Sequence, residues 1–232
     1  MKHCMHRVEG MSAKVFVGGA GEPLLLVHGG WGGAEMHWAP VWEPLAARFR
    51  VVAPDLPGIG DLAHAPLGSV CKYAQWLTGL MGALGAPTAW CVGNSFGASV
   101  VCELAAETPQ RCLGLVLVNG FPMPPTPPPL RWLGERTIGR SLLRAIERHV
   151  AYTPDALARG FADPAKAPQE LRALLQQPAP PQLEAMVGAM VQGGSASRPG
   201  VAPLLLWAKT ITSRGRAPTT RAGSTRRGRD RR

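Results

Sequence analysis

The 232-residue sequence lacks any apolar run of the roughly 20 residues that a membrane-spanning helix needs. Charged residues make up only 17%, and hydrophobic residues 46%, which excludes a wholly disordered chain and leaves material for a sizeable core. The stretch 1–11 contains His3, Cys4 and His6 but no apolar segment. It is therefore not expected to be a secretory signal, and we interpret it as a flexible terminus without a metal site.

The sequence contains few cysteines, and their spacing suggests no disulfide or metal-binding pairs. The five cysteines are odd in number and form no Cys-x-x-Cys pair, although several lie in apolar segments. This usage favours buried, reduced thiols and a cytoplasmic location rather than a disulfide framework.

Basic charge is concentrated at one end. The net charge is +10, but residues 209–232 contain nine basic residues and one acid, which leaves only +2 for residues 1–208. This segment has one large apolar residue, Ile211, and no periodicity, so it is predicted to be a disordered basic tail. Since the folded part is nearly neutral, no specific nucleic-acid partner and no membrane partner are expected. A natural tail that binds nucleic acid or membrane is the alternative.

Short apolar runs alternate with helical patterns through residues 1–121, which is typical of a parallel sheet with crossover helices. Because the strands are apolar throughout, without alternation, both faces of the sheet are expected to be covered. Strands are predicted at Pro23–His28, Arg50–Pro54, Ala89–Val92 and Leu113–Val118, and helices at Trp38–Phe49, Val70–Leu84 and Phe96–Glu107.

The pattern changes after Phe121. Residues 122–129 hold six prolines and are interpreted as a stiff linker, and short helices interrupted by prolines are predicted from 131 to 192. A final apolar run, Ala202–Trp207, is predicted to be a buried strand. The domain organisation is therefore a core over 1–121, a helical insertion over 122–199, a last core strand within 200–208 and the tail.

Gly93-Asn94-Ser95-Phe96-Gly97 lies between a predicted strand and a predicted helix, the context of a nucleophile elbow. The hydroxyl of Ser95 is then the candidate nucleophile, and the N–H of Phe96 is a candidate oxyanion donor. A chance occurrence at an ordinary strand–helix turn is the alternative.

His28-Gly29-Gly30-Trp31-Gly32-Gly33 follows the first apolar strand. Glycine-rich backbone allows close approach of N–H groups to a ligand, so Gly30 or Trp31 is the candidate second oxyanion donor. The segment contains neither Gly-x-Gly-x-x-Gly nor Gly-Lys-Ser/Thr, the patterns of phosphate-binding loops, which argues against a nucleotide site. We expect His28 to orient the loop, and Asp55, which follows the next strand, to cap a turn.

These motifs resemble the α/β-hydrolase superfamily from Val15 to Trp207, especially small carboxylesterases and C–C bond hydrolases of ring-cleavage products. The resemblance implies a mainly parallel sheet with helices on both faces and an inserted helical cap. It further implies hydrolysis of an ester or C–C bond in a small apolar substrate, with no cofactor and no metal. The oligomeric state stays open.

The resemblance also implies an acid and a histidine after the nucleophile. The sequence has no carboxylate between Glu184 and Asp230, and its last histidine is His149. We therefore interpret the chain as C-terminally truncated or frame-shifted from Lys209, without the last strand and helix of the fold. Impaired catalysis follows, and a catalytically inactive remnant that only binds ligands is the alternative.

Overall fold

The computed structural model describes residues 1–153, 156, 161, 163–177, 180–195 and 197–207. The predicted disordered tail, 209–232, lies outside the described residues. Seven strands are described: β1 Lys2–Val8, β2 Met11–Gly18, β3 Pro23–Val27, β4 Arg50–Pro54, β5 Ala89–Asn94, β6 Cys112–Val118 and β7 Pro203–Leu206. The helices are α1 Ala34–Ala46, α2 Val70–Ala83, α3 Phe96–Glu107, α4 Pro128–Gly134, α5 Thr137–Ala151, α6 Gln169–Gln176 and α7 Gln182–Gln192.

All seven strands form one sheet in the order β1-β2-β4-β3-β5-β6-β7. The pairs β1–β2 and β2–β4 are antiparallel, and the other four pairs are parallel. The sheet is thus mainly parallel, as expected, and the carboxyl ends of β3, β5 and β6 meet at one edge.

Both faces of the central strands are covered, which explains why these strands are apolar throughout. On one face, Leu24 and Leu26 pack with Trp38 of α1. On the other face, Leu25 and Val27 belong to the larger core that includes α2 and α3. Consecutive side chains of a strand point to opposite faces, so the positions from Leu24 to Val27 all need an apolar side chain.

The prediction that the N-terminal residues form a flexible terminus was wrong. Residues 2–8 are not a flexible terminus but an edge strand, paired with β2 over its whole length. The antiparallel start, β1 and β2, was missed because neither strand has a continuous apolar run. In β2 only Ala13, Val15 and Phe16 are buried.

The last predicted strand exists, but the expectation that it is buried was wrong. β7 pairs with β6 in parallel, and all four of its residues are exposed. An apolar run encodes strand propensity, whereas burial depends on elements that pack from elsewhere in the chain. No helix among the described residues is long and apolar enough to cross a bilayer.

Among the described residues, four α-helices follow β6, in the segment where short helices were predicted. α6 and α7 contribute Leu171, Leu183 and Met186 to the main core, which fixes them above the carboxyl edge of the sheet. α4 and α5 pack against each other, and both contact α7. This helical layer covers the carboxyl edge of the sheet, where the candidate site lies.

Candidate active site

Ser95 stands at the junction of β5 and α3 in a strained conformation. Its backbone has φ 50° and ψ −113°, in the positive-φ region that a non-glycine residue rarely adopts. The N–H of Ser95 donates to the carbonyl of Val118, at the end of β6, over 2.9 Å. The sharp turn therefore leaves the Ser95 side chain exposed at the carboxyl edge of the sheet, as an elbow requires.

The glycines around Ser95 are dictated by close packing. A Cβ on Gly93 would lie 2.3 Å from the carbonyl oxygen of Gly97, and a Cβ on Gly97 would lie 2.3 Å from that of Val27. Both contacts are with backbone, which cannot move aside. Only glycine fits at either position, and the helix α3 can therefore approach β3 closely enough to place Ser95 beside the loop after β3.

The predicted site residues lie around one cavity of about 520 Å³. Its walls include Ser95 and Phe96 from the elbow and Gly30 and Trp31 from the loop after β3. A second cavity, of about 310 Å³, also opens at Ser95 and Phe96. A substrate held at Ser95 would thus have room on two sides of the reacting bond.

His28 is buried beneath the loop and does not face the cavity. Its Nε2 accepts from the N–H of Leu56 over 2.8 Å, so its Nδ1 carries the proton and donates to the carbonyl of Gly29 over 2.7 Å. Burial, aided by the neighbouring His37, lowers the pKa of His28 to about 3. The imidazole is therefore neutral, and its two hydrogen bonds join the loop after β3 to the loop after β4.

Asp55 caps a helix rather than its own turn. Its Oδ1 accepts from the N–H of Ala34 over 2.6 Å, at the first residue of α1. Lys14 Nζ lies 3.5 Å from Oδ2. Burial raises the pKa of this carboxyl, against the opposing effects of Ala34 and Lys14. A carboxylate at a helix N-terminus stabilises the exposed N–H groups there, so Asp55 holds the start of α1 against the loop.

His37 is a site residue that sequence reasoning left unassigned. A methyl group built on Gly29 would lie 3.0 Å from His37 Cε1, 3.0 Å from Asn94 Oδ1 and 3.3 Å from Ser95 Cβ. The side chains of these three residues therefore meet beside Gly29. His37 Nε2 donates to the carbonyl of Trp31 over 2.7 Å, and burial lowers its pKa. The available signal was its place in the first turns of α1, directly after the glycine-rich loop.

The helical layer also contributes residues that the sequence did not predict. The hydroxyl of Tyr152 donates to the carbonyl of Gly30 over 3.0 Å, which ties the end of α5 to the loop after β3. Glu147, one turn earlier on α5, lines both cavities, and burial raises the pKa of its carboxyl. Docking of α5 over the site is a long-range contact, so no local pattern could reveal it.

Neither a base nor an acid partner of Ser95 is found among the described residues. Within the described part of the chain, the Ser95 hydroxyl makes no hydrogen bond to a histidine or a carboxylate. Asn119, which follows β6, lines the cavity with φ 47°. His64 contacts the carbonyl of Ser12, and His149 is exposed on α5. The candidate oxyanion donors thus lie at the same cavity as Ser95, whereas no base hydrogen-bonded to Ser95 is seen among the described residues.

One cluster away from the cavity has donor atoms suited to a metal ion. Atoms of Cys71, Glu103 and Glu107 lie within 4.8 Å of one another. The Cys71 thiol donates to Glu103 Oε1 over 3.2 Å, and the N–H of Ser195 donates to Oε2 over 3.0 Å. Burial raises the pKa of Cys71 to about 11, so the thiol keeps its proton. We interpret this cluster as a structural contact between α2, α3 and the segment after α7.

Comparison with known proteins decides the family. A profile described as the alpha/beta hydrolase fold matches residues 22–192, which include the elbow, the glycine-rich loop and the helical layer. The chain belongs to the alpha/beta hydrolase fold family.

Two curated proteins are similar in sequence to part of this chain. The chain is 37% identical over 103 residues to the dihydrolipoyllysine-residue acetyltransferase component of the acetoin cleaving system of Cupriavidus necator, covering 44% of this chain and 27% of that protein. It is 35% identical over 115 residues to 2-hydroxymuconate semialdehyde hydrolase of Pseudomonas sp. strain CF600, covering 47% and 40%. The chain thus spans less than half the length of these curated relatives.

A solved structure supports the fold of this α/β-hydrolase over most of its length. The meta-cleavage product hydrolase of Pseudomonas fluorescens IP01 superposes with a TM-score of 0.63 at 21% identity, covering 88% of this chain and 78% of that chain. At this level of identity the likeness concerns the fold.

Proposed function

We propose that this α/β-hydrolase cleaves an ester or a C–C bond next to a carbonyl group, with Ser95 as the nucleophile and impaired turnover. The observation that carries the proposal is the strained elbow, which presents Ser95 to a cavity shared with Gly30, Trp31 and Phe96. Strain of this kind persists only where surrounding structure imposes it, and it is concentrated at functional sites.

The reaction follows from these positions. Ser95 Oγ attacks the carbonyl carbon, and the N–H groups of Phe96 and of Gly30 or Trp31 donate to the developing oxyanion. Collapse of the tetrahedral intermediate breaks the bond to the leaving group, which takes up the proton that the Ser95 hydroxyl releases and departs as the alcohol or the C–H product. Water then hydrolyses the remaining acyl-enzyme to the carboxylic acid and restores the Ser95 hydroxyl. His37 and Tyr152 act as positioning residues, because they hold the carbonyls of Trp31 and Gly30 and so orient the loop.

The cavity favours a small substrate with an apolar body. Its wall includes the side chains of Trp31, Met36, Phe161, Leu171 and Met186. Such a wall binds hydrocarbon by removing its surface from water. The two cavities that meet at Ser95 would accept the acyl and leaving groups separately.

Ligand binding without turnover is the second candidate. It is favoured by the missing hydrogen bond between Ser95 and a base in the described residues, since an unassisted serine hydroxyl is a weak nucleophile. In a serine protease triad, loss of the histidine costs roughly a millionfold in turnover. The oxyanion hole and substrate binding still give ~10³ to 10⁴ over water.

Hydrolysis of p-nitrophenyl butyrate separates the two candidates. We expect the oxyanion hole and substrate binding to accelerate release of p-nitrophenol by about 10³- to 10⁴-fold over buffer, and this part of the rate should persist in Ser95→Ala. The full chain should in addition form a butyryl ester at Ser95, detected by mass spectrometry of the peptide, which Ser95→Ala cannot form. Ser12→Ala, a change at an exposed serine on β2, is the matched control and should leave the rate unchanged.

Absence of the butyryl ester in the full chain, or its persistence in Ser95→Ala, would contradict the nucleophile assignment. Saturable binding of the intact ester by both proteins, without release of p-nitrophenol, would favour the ligand-binding candidate. Rapid turnover that Ser95→Ala abolishes would show that a base acts on Ser95 and would contradict the impaired state.

A further inference from the structure

The second cavity at Ser95 has a mainly apolar wall with one charged residue. Its volume is about 310 Å³, and Glu147 is the single charged residue among the described residues of its wall. The apolar part of the wall includes two phenylalanines and three methionines, Phe96, Phe121, Met123, Met186 and Met190. Because Glu147 also lines the first cavity, it lies where the two cavities meet.

The basic residues next to Glu147 on α5 bind other groups. Arg144, three residues before it, pairs with Glu184 on α7. Arg148, the following residue, donates to the carbonyl of Tyr152. The positions four residues before and after Glu147 hold apolar residues, so no cation occurs at the spacing that favours an ion pair within a helix. Within the described part of the chain, Glu147 therefore lines the cavities without a basic partner.

Loss of water around the Glu147 carboxyl is not compensated by the described residues. Burial raises the pKa of Glu147, and no cation or hydrogen-bond donor among them opposes that rise. Glu184 is also partly desolvated, yet its hydrogen bonds to Arg144 and Arg140 hold its pKa below the usual range. A desolvated carboxylate is costly unless it is paired. A ligand that brings a cation to Glu147 would remove this cost.

We propose that the second cavity binds a part of the substrate that carries a basic nitrogen, and that this ammonium group pairs with the Glu147 carboxylate. The inference rests on the proposed function, because it takes the bond cleaved at Ser95 to lie between the two cavities. An ammonium group donates charge-assisted hydrogen bonds to a carboxylate. The aromatic rings and thioether sulfurs of the wall suit the hydrocarbon next to the nitrogen.

The distribution of charge places the ammonium group in the second cavity rather than the first. Lys166 lines the first cavity together with Glu147, whereas the described wall of the second cavity holds no basic residue. A metal ion would need further acidic, histidine or cysteine ligands, and that wall has none besides Glu147. The net charge of the chain, +10, disfavours cations in general, so a preference for ammonium would arise from this local carboxylate.

Calorimetric titration of the full chain with 2-phenylethylammonium and with 2-phenylethanol tests the proposal at neutral pH. The two probes share an aromatic body and differ in charge at one end. We expect the ammonium probe to bind at least about tenfold more tightly, because a hydrogen bond to a charged group is stronger than a neutral one. Ser95→Ala should show the same preference, since binding does not require the nucleophile.

Glu147→Gln should bind the ammonium probe about tenfold more weakly and 2-phenylethanol with unchanged affinity, because glutamine keeps the shape of the side chain and removes its charge. The matched control is Glu170→Gln, at an exposed glutamate in the first turn of α6 outside both cavities, which should keep the preference. The ammonium probe should also slow labelling of Ser95 by a fluorophosphonate, and less so in Glu147→Gln. Circular dichroism checks that each variant folds.

Equal affinities for the two probes, absence of binding, or a preference for ammonium that persists in Glu147→Gln would overturn the proposal. Failure of the proposed function has a different result. In that case no label and no butyryl ester form at Ser95, while the preference for ammonium and its loss in Glu147→Gln remain. That combination would support the ammonium site and contradict Ser95 as the nucleophile.

Discussion

Two strands with almost the same sequence have opposite environments. β3 reads Pro-Leu-Leu-Leu-Val and β7 reads Pro-Leu-Leu-Leu. Leu25 and Leu26 of β3 are 1% and 0% exposed, whereas Leu205 and Leu206 of β7 are 62% and 47% exposed. The difference arises from neighbours, since β3 lies between β4 and β5 beneath α1 and α3, and β7 pairs with β6 alone among the described strands.

The two strands differ in how firmly they hold the residues that follow them. The loop after β3 is fixed at both ends, because His28 accepts from the N–H of Leu56 and Asp55 accepts from the N–H of Ala34. The residue after β7, Trp207, is exposed. Donors that are preorganised for a ligand need rigid surroundings, and the proposed oxyanion donors lie on the well-packed side of the sheet.

The largest effect is expected at Gly97, the glycine that lets α3 approach β3. Gly97→Ala should lower the free energy of unfolding by more than about 4 kcal/mol or prevent folding, because the new methyl group would meet the backbone of Val27. Denaturant unfolding followed by circular dichroism measures this change.

Gly82→Ala on α2 is the matched control, since its Cβ would meet nothing within 4 Å. Alanine in a helix is favoured over glycine by about 1 kcal/mol, so this variant should be as stable or more stable. Similar losses in the two variants would contradict the packing account of the elbow.

The paired leucines test the comparison directly. Leu26→Ala in β3 should cost about 2–5 kcal/mol of unfolding free energy, because it leaves a cavity in a covered part of the sheet. Leu205→Ala in β7 should lower the free energy of unfolding by less than about 1 kcal/mol, because that side chain is already exposed to solvent. Leu205→Ala should also reduce binding of a hydrophobic dye. Equal costs would mean that β7 is covered in solution.

A smaller effect is expected from protonation of His28. Its folded pKa, about 3, lies below the unfolded value near 6.5, so the unfolded chain binds the proton first. The stability from neutral His28 is therefore present above pH 6.5 and is lost as the pH falls towards 3. Between pH 7 and pH 4 this amounts to about 3 kcal/mol.

Denaturant unfolding across this pH range checks the prediction. His28→Asn should have a lower stability at pH 7 and a shallower decline towards pH 4, since it lacks the titrating imidazole. An unchanged slope in His28→Asn would show that other groups cause the acid sensitivity.

Sequence reasoning located the parts of the fold that local pattern determines. The helix Phe96–Glu107 and the strand Arg50–Pro54 have the predicted bounds, and the family and the mainly parallel sheet were confirmed. α1 begins four residues earlier than predicted, at Ala34, because the side chain of Asp55, 21 residues away in sequence, caps it.

The remaining features depend on contacts between distant segments. Nothing near Leu205 in sequence distinguishes it from Leu25, and only the packed neighbours decide which is buried. Tyr152 reaches Gly30 across 122 positions, so its role at the site had no local signal. The predicted site residues share one cavity because the loops after parallel strands meet at one edge of the sheet.

Labelling with a fluorophosphonate probe tests the central claim most directly, because it reports the nucleophile without requiring turnover. We expect slow, covalent labelling of the full chain at Ser95, located by mass spectrometry of the peptide, and loss of labelling in Ser95→Ala. Ser12→Ala should label at the rate of the unchanged chain. Labelling that persists in Ser95→Ala, or a modified peptide without Ser95, would contradict the assignment of this serine as the nucleophile.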